Sequence, residues 1–253
     1  MSVDSRLGAS DSCETKDVAT DDPATELGKQ GIALLRGVFA RDSLTRLKDA
    51  AARCFEAIRT ERPLPEHYQF NRYSHSVLLT ALMDFGCDSL EELVAPLSAP
   101  GLGQLFLEAT GCEWICSMEQ SWVRKKFTPL QVPGPQYHLQ NWHQDGALGV
   151  HFPSESGPFI PMTRLLTCWI PLNPCGTDSP GLEFVRHRQA ALLHFTELED
   201  SALRRRFPPQ EFWVPALEIG DGLVFLNSTL HRTHARPEMR HNRLSVEYRI
   251  FPR

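Results

Sequence analysis

The stretch Asn141-Trp142-His143-Gln144-Asp145-Gly146 places a histidine and an aspartate two residues apart. In an extended strand the side chains alternate between the two faces, so we expect His143 and Asp145 to point one way and Gln144 the other. An imidazole nitrogen and a carboxylate oxygen on one face can bind a single divalent ion. We therefore predict that this stretch is a strand carrying two ligands of a metal site.

A third ligand is available near the C-terminus, where Gly220 to His231 has the pattern of a turn, an apolar strand and then a histidine. His231 directly follows the apolar run, while the alternatives His234 and His241 lie farther along the chain. Two histidines and one carboxylate are the facial ligand set of non-haem Fe(II) oxygenases, which leaves the opposite face of the metal open. An isolated His-x-Asp pair is more often a surface or capping pair, so the hypothesis depends on all three residues together.

The overall composition is that of one globular domain. The chain has 253 residues, of which 42% are hydrophobic, enough for one sizeable core. Its net charge of −5 gives no basic surface for nucleic acid. No apolar run approaches the roughly 18 residues that span a bilayer, and the N-terminus lacks a secretory pattern. We expect a cytoplasmic protein that binds neither nucleic acid nor membrane, and the oligomeric state stays open.

The seven cysteines do not suggest a disulfide framework, because their number is odd and their spacing is irregular. Cys112 and Cys116 form the closest pair, and no second pair matches it. We predict that both are buried packing residues and not zinc ligands.

The order of the elements indicates the fold class. Residues 1–25 are poor in large apolar groups and predict a flexible tail, followed by a single domain over 26–253. Helical patterns come first and short strands follow without regular alternation, which favours a mainly β fold with flanking helices, an antiparallel double-sheet barrel or jelly roll. Strands are predicted at 31–37, 112–126, 140–145, 164–172, 181–185, 213–219, 222–226 and 244–251, and helices at 42–55, 76–85, 89–98, 101–110 and 190–206.

Arg243-Leu244-Ser245 offers an anchor for an anionic ligand. On a strand, a two-residue step places the guanidinium and the hydroxyl on one face, where they can bind a carboxylate together. Two alternatives stay open: Arg240 could take the role of Arg243, and Arg243 could simply pair with Glu247.

Two loops, 60–75 and 146–162, are expected to shape a substrate pocket, and the second is a candidate lid. They and their surroundings contain basic residues that could contact a polar substrate, although solvated surface charge is the commoner role of such residues. The candidates are Arg72, His151, Arg164 and Arg186.

With these motifs in place, the chain from about Gly31 to Arg253 resembles Fe(II)- and 2-oxoglutarate-dependent dioxygenases of the phytanoyl-CoA hydroxylase type. The resemblance implies a cupin-like jelly roll, the double-stranded β-helix. The matching motifs are His143-Gln144-Asp145, Cys168-Trp169-Ile170-Pro171-Leu172, Gly220-Asp221-Gly222, Leu230-His231-Arg232-Thr233 and Arg243-Leu244-Ser245.

The resemblance also implies a function and the residues that carry it. It implies an enzyme that uses Fe(II), 2-oxoglutarate and O2 to oxidise a C–H bond of a small-molecule metabolite, with release of succinate and CO2. Hydroxylation is the default outcome, and desaturation, cyclisation and epimerisation stay open. The implied iron ligands are His143, Asp145 and His231, and the implied 2-oxoglutarate residues are Arg243 and Ser245 at its distal carboxylate, with Trp169 and Thr233 alongside. Trp169 could equally be an ordinary core residue.

Two rival functions use the same residues differently. A zinc hydrolase or isomerase would use the three ligands and a metal-bound water, but it gives no role to Arg243 and Ser245. A barrel without catalytic activity could serve as a binding module.

Overall fold

The computed structural model describes residues 22–60, 68–132, 141–147 and 163–253. Within these ranges ten strands form two antiparallel sheets. The strands are β1 (Ile32–Leu35), β2 (Gln69–Asn71), β3 (Ser74–Leu78), β4 (Trp114–Lys126), β5 (Leu166–Pro171), β6 (Gly181–Val185), β7 (Phe212–Trp213), β8 (Gly222–Leu226), β9 (His231–His234) and β10 (Arg243–Pro252).

The large sheet has the order β1-β8-β5-β10-β4-β3-β2, and the small sheet has the order β7-β6-β9. Five of the eight neighbouring strand pairs are non-consecutive, because the chain crosses repeatedly between the two sheets; the consecutive pairs are β2-β3, β3-β4 and β6-β7. The α-helices are α1 (Pro23–Gln30), α2 (Arg41–Arg59), α3 (Leu90–Val94), α4 (Leu102–Thr110) and α5 (Asp200–Arg206). The architecture confirms the expected jelly roll with flanking helices.

The large sheet has one face toward the helices and the other toward the small sheet. Because side chains alternate along a strand, β5 and β10 each contribute to both faces. The helix side carries Leu166, Cys168, Ile170, Val246, Tyr248 and Ile250, which pack into the main core with α2. The interior side carries Thr167, Trp169, Arg243, Ser245, Glu247 and Arg249, all of them buried.

Several predicted element boundaries were wrong. Helix α1 begins at Pro23, inside the predicted tail, and residues 1–21 lie outside the described ranges. Helix α2, predicted over 42–55, has Ala40 at its N-cap and continues to Arg59. The helix predicted over 76–85 is the end of β3 followed by a 3-10 helix, Leu79–Phe85. None of the helices within the described ranges is long and apolar enough to cross a membrane.

The helix predicted over 190–206 is confined to α5 at its C-terminal end. The residues before α5 form other hydrogen bonds. The N–H of Leu193 donates to Gln144 Oε1 at 2.7 Å, and His194 caps a short 3-10 turn. Because these backbone groups are committed to other partners, a helix cannot begin earlier.

Asp221, in the turn before β8, ties the start of the chain to the large sheet. Gly220 precedes it with φ of +105°, a conformation that favours glycine. The Asp221 carboxylate accepts hydrogen bonds from the N–H of Gly37 and of Glu218, each at 2.9 Å, and from Arg36 at 2.7 Å. This one side chain therefore holds three donors from both ends of the domain.

We predict that Asp221→Ala lowers the free energy of unfolding by about 2–4 kcal/mol, since it leaves two backbone N–H groups without their acceptor. Urea denaturation measures the change. Arg36→Ala is the matched control: its side chain is half-exposed, so it should cost about 1 kcal/mol or less. Equal losses in the two variants would contradict this assignment.

Candidate metal centre

His143 and His231 lie side by side because their backbones pair. The N–H of His143 donates to the carbonyl of His231 at 3.0 Å, and the N–H of His231 donates to the carbonyl of His143 at 3.1 Å. His231 is the first residue of β9 in the small sheet. The two imidazole centroids are 4.2 Å apart. The backbone pairing of His143 with His231 therefore joins two segments that are distant in sequence.

Both imidazole rings are oriented by backbone carbonyls. Nδ1 of His143 lies 2.9 Å from the carbonyl oxygen of Asn141, and Nδ1 of His231 lies 3.0 Å from that of Thr229. Because a carbonyl only accepts, each Nδ1 carries the hydrogen and each Nε2 keeps its lone pair. Burial, with the neighbouring His231, lowers the pKa of His143 to about 4. His143 is therefore neutral at physiological pH, as a metal ligand must be.

Asp145 completes the group with a carboxylate that is held in place. Its Oδ1 lies 3.8 Å from Nε2 of His231. Its Oδ2 accepts hydrogen bonds from Thr167 Oγ1, at 2.7 Å, and from the guanidinium of Arg249. Burial by itself raises the pKa of this carboxyl, but Arg249 and the two histidines hold the pKa well below its usual range. The carboxylate is ionised at physiological pH.

His143, Asp145 and His231 offer one ligand atom each, and these atoms lie within 4.8 Å of one another. In the described part of the chain, no other group of three histidine, cysteine or carboxylate side chains converges in this way. Cys112 and Cys116, predicted to be buried, are only half-buried and do not belong to such a group. The three donors match in kind the facial set that binds Fe(II).

The predicted strand at 140–145 is wrong, although the side chains it was meant to align do converge. Of the described residues of this stretch, only His143 makes a strand-like bridge, and Asp145 begins a 3-10 turn. Gln144 points away from the other two: its Nε2 donates to the carbonyl of Ser228 at 2.6 Å, and its Oε1 accepts from Leu193. These hydrogen bonds of Gln144 hold the turn in position, and no strand ladder does so.

Gln144→Leu should lower the free energy of unfolding by about 2–4 kcal/mol, because it leaves the buried N–H of Leu193 and the carbonyl of Ser228 without partners. Thermal or urea denaturation measures the effect. Gln189→Leu is the control, since Gln189 donates only to the carbonyl of His187 two residues away, and it should cost about 1 kcal/mol. A Gln144→Leu protein as stable as the control would disprove the anchoring role.

A cavity of about 90 Å³ lies beside the three donors, inside the jelly roll. Its other walls come mainly from β4, β5 and β10. They are Arg124, Thr167, Trp169, Leu182, Phe225, Arg243, Glu247 and Arg249.

The predicted anchor residues lie on the interior face of the large sheet. Arg243 is buried and lines the cavity; its Nη1 donates to the carbonyl of Gly181 at 2.9 Å, and its guanidinium lies 5.4 Å from the centre of the Trp169 ring. Ser245 lies two residues along the same strand. Trp169 Nε1 and Ser245 Oγ are buried and have no hydrogen-bond partner among the described residues. Buried polar atoms are rarely left unsatisfied in proteins, so this position fits a polar ligand.

The family model for phytanoyl-CoA dioxygenase (PhyH) matches residues 27–241. The chain belongs to the phytanoyl-CoA dioxygenase family. Family membership, together with the His-Asp-His group, confirms the expected enzyme class, a non-haem iron dioxygenase with iron, 2-oxoglutarate and O2 as cofactors. A comparison with curated proteins found no match.

Solved structures share this fold. The non-haem alpha ketoglutarate dependent carbocyclase SnoK from nogalamycin biosynthesis has 15% identity and a TM-score of 0.62, with 92% of this chain and 84% of that chain covered. EctD from S. alaskensis, solved with 2-oxoglutarate and 5-hydroxyectoine, has 15% identity and a TM-score of 0.61, with coverages of 94% and 79%. At these identities the likeness shows the fold alone.

Within this phytanoyl-CoA dioxygenase fold, the alternative residues Arg240 and His241 lie away from the metal centre. Arg240 is exposed and forms an ion pair with Asp178 at 2.9 Å, and His241 is exposed beside the same carboxylate. Glu247 pairs with Arg124 and Arg249. Thr233 is buried on β9 but is not among the residues that line the cavity.

The candidate substrate residues are not gathered at the cavity. Arg72 is exposed over the ring of Tyr73, and Arg186 packs over Trp213 and lies 3.7 Å from Glu26. Arg164 lines a separate surface cleft of about 670 Å³. His151 lies outside the described residues, as do 148–162 of the expected lid and 61–67 of the other loop.

The sequence interpretation missed four residues at the site: Arg124, Thr167, Glu247 and Arg249. A signal was present in the strict alternation of polar and apolar residues from Arg243 to Ile250. Three of the four polar positions in that run are charged, and all four face the interior. Charged residues at every second position of a buried strand predict a polar site within the barrel.

Proposed function

We propose that this protein is an Fe(II)- and 2-oxoglutarate-dependent oxygenase that oxidises a C–H bond of a small-molecule metabolite. The observation that carries the proposal is the convergence of His143, Asp145 and His231 next to a buried Arg-x-Ser pair whose hydroxyl lacks a partner among the described residues. The metal donors alone fit several reactions. The adjacent site for an anionic, hydrogen-bonding ligand favours a 2-oxo acid co-substrate.

In this proposal Nε2 of His143, Nε2 of His231 and Oδ1 of Asp145 hold the iron. Bound iron, with 2-oxoglutarate and O2, supplies the oxidising power for C–H oxidation and yields succinate and CO2. Each of the three residues would give the metal one ligand atom, and the residues of the adjacent cavity would bind the co-substrate.

The remaining residues of the cavity position the co-substrate. The guanidinium of Arg243 and the hydroxyl of Ser245 bind its distal carboxylate through charge-assisted hydrogen bonds. Trp169 lies against the same guanidinium and has an N–H to donate. Leu182 and Phe225 are apolar walls that exclude water from the reacting groups.

Electrostatics at the anchor also favour an anion. Lys126 is buried and is the register partner of Arg243 on the neighbouring strand β4. Burial, with the charge of Arg243, lowers the pKa of Lys126 to about 8. Two adjacent buried cations repel each other, and an anionic carboxylate bound beside Arg243 on the interior face of the sheet relieves that repulsion.

The outcome of the oxidation and the substrate are finer questions. SnoK is described as a carbocyclase and SnoN as an epimerase, so relatives of this fold support more than one outcome. Hydroxylation is our default, and product analysis distinguishes it from desaturation, cyclisation and epimerisation. A library of metabolites screened by succinate release identifies the substrate class.

We expect the protein, incubated aerobically with Fe(II), ascorbate and 2-oxoglutarate, to release succinate, and Asp145→Ala to abolish that release because it removes one of the three metal donors. Succinate is quantified by mass spectrometry. Hydrolysis or isomerisation with Zn(II) and no 2-oxoglutarate would favour the rival enzyme. A protein that binds no metal and shows no thermal shift with 2-oxoglutarate would favour the binding module.

Arg243→Ala should weaken 2-oxoglutarate binding by about 10- to 100-fold while leaving metal binding intact, because it removes a charge-assisted hydrogen bond to the co-substrate and none of the metal donors. Calorimetric titration of the metal-free protein with Mn(II), and then of the Mn(II)-loaded protein with 2-oxoglutarate, measures the two affinities. Arg240→Ala is the matched control and should bind 2-oxoglutarate normally, since Arg240 is exposed and pairs with Asp178. The opposite result, weaker binding only in Arg240→Ala, would move the anchor to Arg240.

A further inference from the structure

Arg249 is a buried arginine in direct contact with a proposed metal ligand. It lies on the interior face of β10, in register with Thr167 on β5. One nitrogen, Nη1, donates to both Asp145 Oδ2 and Thr167 Oγ1. The other, Nη2, lies 3.4 Å from Glu247 Oε2. Its guanidinium is therefore fixed by three partners.

These contacts make the two oxygens of Asp145 unequal. Oδ2 accepts from both Arg249 and Thr167, which occupy its lone pairs. Oδ1 faces Nε2 of His231 at 3.8 Å. Only one oxygen of the carboxylate is directed at the position where the donors converge, so Asp145 can contribute a single oxygen to a metal.

Arg249 is itself held by a chain of alternating charges. Glu247 binds Arg249 on one side and Nε of Arg124 on the other, at 2.9 Å. Arg124 in turn donates to Ser76 Oγ on β3 at 3.0 Å. Burial of a guanidinium is costly unless its charge is matched, and here two carboxylates match it. This series of side-chain contacts links β3, β4, β10 and β5 to the metal centre.

We propose that Arg249 is a positioning residue that fixes Asp145 as a one-oxygen ligand and sets the affinity of the centre for its metal. The inference rests on the proposed metal centre. It gives Arg249 a role that is separate from those of the three donors and of Arg243. Without Arg249 the carboxylate would be held by Thr167 alone and could rotate or offer both oxygens. Either change would alter the donor geometry, and a second coordinating oxygen would take a position that the co-substrate needs.

The main test variant removes the charge of Arg249 while keeping the buried charges balanced. Arg249→Ala alone leaves Asp145 and Glu247 buried without their partner and can unfold the protein. The double variant Arg249→Met with Glu247→Gln removes one cation and one anion together. Glu247→Gln alone is its matched control, because it retains the contact between Arg249 and Asp145. Arg249→Lys keeps the charge and removes the planar fork.

Mn(II) binding, measured by calorimetry and by the electron paramagnetic resonance spectrum of the bound ion, is the readout. We expect the double variant to bind Mn(II) about 10- to 100-fold more weakly than the Glu247→Gln control, the usual effect of removing a partner of a metal ligand. Arg249→Lys should lie between the two. The resonance spectrum of the double variant should differ from that of the Glu247→Gln control, which a purely structural role does not predict.

Equal Mn(II) affinities and spectra in the double variant and its control would overturn the proposal for Arg249 while leaving the metal centre in place. If the double variant does not fold, Arg249→Lys decides the question: an affinity and a spectrum equal to those of the parent overturn the proposal. A parent protein that binds no Mn(II) overturns the metal centre and, with it, the assignment of Arg249.

Discussion

The alternation of side chains along β10 is the constraint on which the rest of the structure depends. One face of this strand carries Val246, Tyr248 and Ile250, which pack against the helices. The other face carries Arg243, Ser245, Glu247 and Arg249, all buried inside the jelly roll. A shift of one residue would exchange the two faces and bury the charges in the apolar core. The same register therefore determines both the core and the polar cavity.

The cavity, in turn, requires that its charges be balanced locally. Asp145 and Glu247 both contact the buried Arg249, and Glu247 also contacts the half-buried Arg124, so the cost of removing these groups from water is offset by close opposite charges and hydrogen bonds. The two histidines are joined through their backbones and oriented by carbonyls. The donors are therefore pre-positioned, and binding a metal requires little rearrangement of the described residues.

The sequence predicted the parts of the site that depend on local patterns. The His-x-Asp pair, a histidine after an apolar run and an Arg-x-Ser step were enough to propose three donors and an anchor. The prediction that His143 and Asp145 lie on a strand was wrong, because the turn there is fixed by Gln144 reaching a distant loop. The shortened α5 has the same cause. Neither contact has a local signature, since the partners are far apart in sequence.

The contact of Arg249 with Asp145 was also beyond the sequence patterns. It depends on the register between β5 and β10, which places Thr167 opposite Arg249, and no spacing rule gives that register. The alternation along β10 could have shown that Glu247 and Arg249 face inward, but not which carboxylate each would meet. Arg72 and Arg164 were proposed as substrate residues from their type and their loops, and both are exposed away from the cavity. Residue type alone does not place a side chain at a site.

The central claim is that three donors hold one iron, with 2-oxoglutarate bound beside it at Arg243. Anomalous diffraction at the iron edge, from crystals grown without oxygen in the presence of Fe(II) and 2-oxoglutarate, tests it most directly. The claim predicts a single strong peak at bonding distance from Nε2 of His143, Nε2 of His231 and one oxygen of Asp145, with the co-substrate reaching Arg243. A peak at other residues, or none at these three in crystals that contain iron, would contradict it.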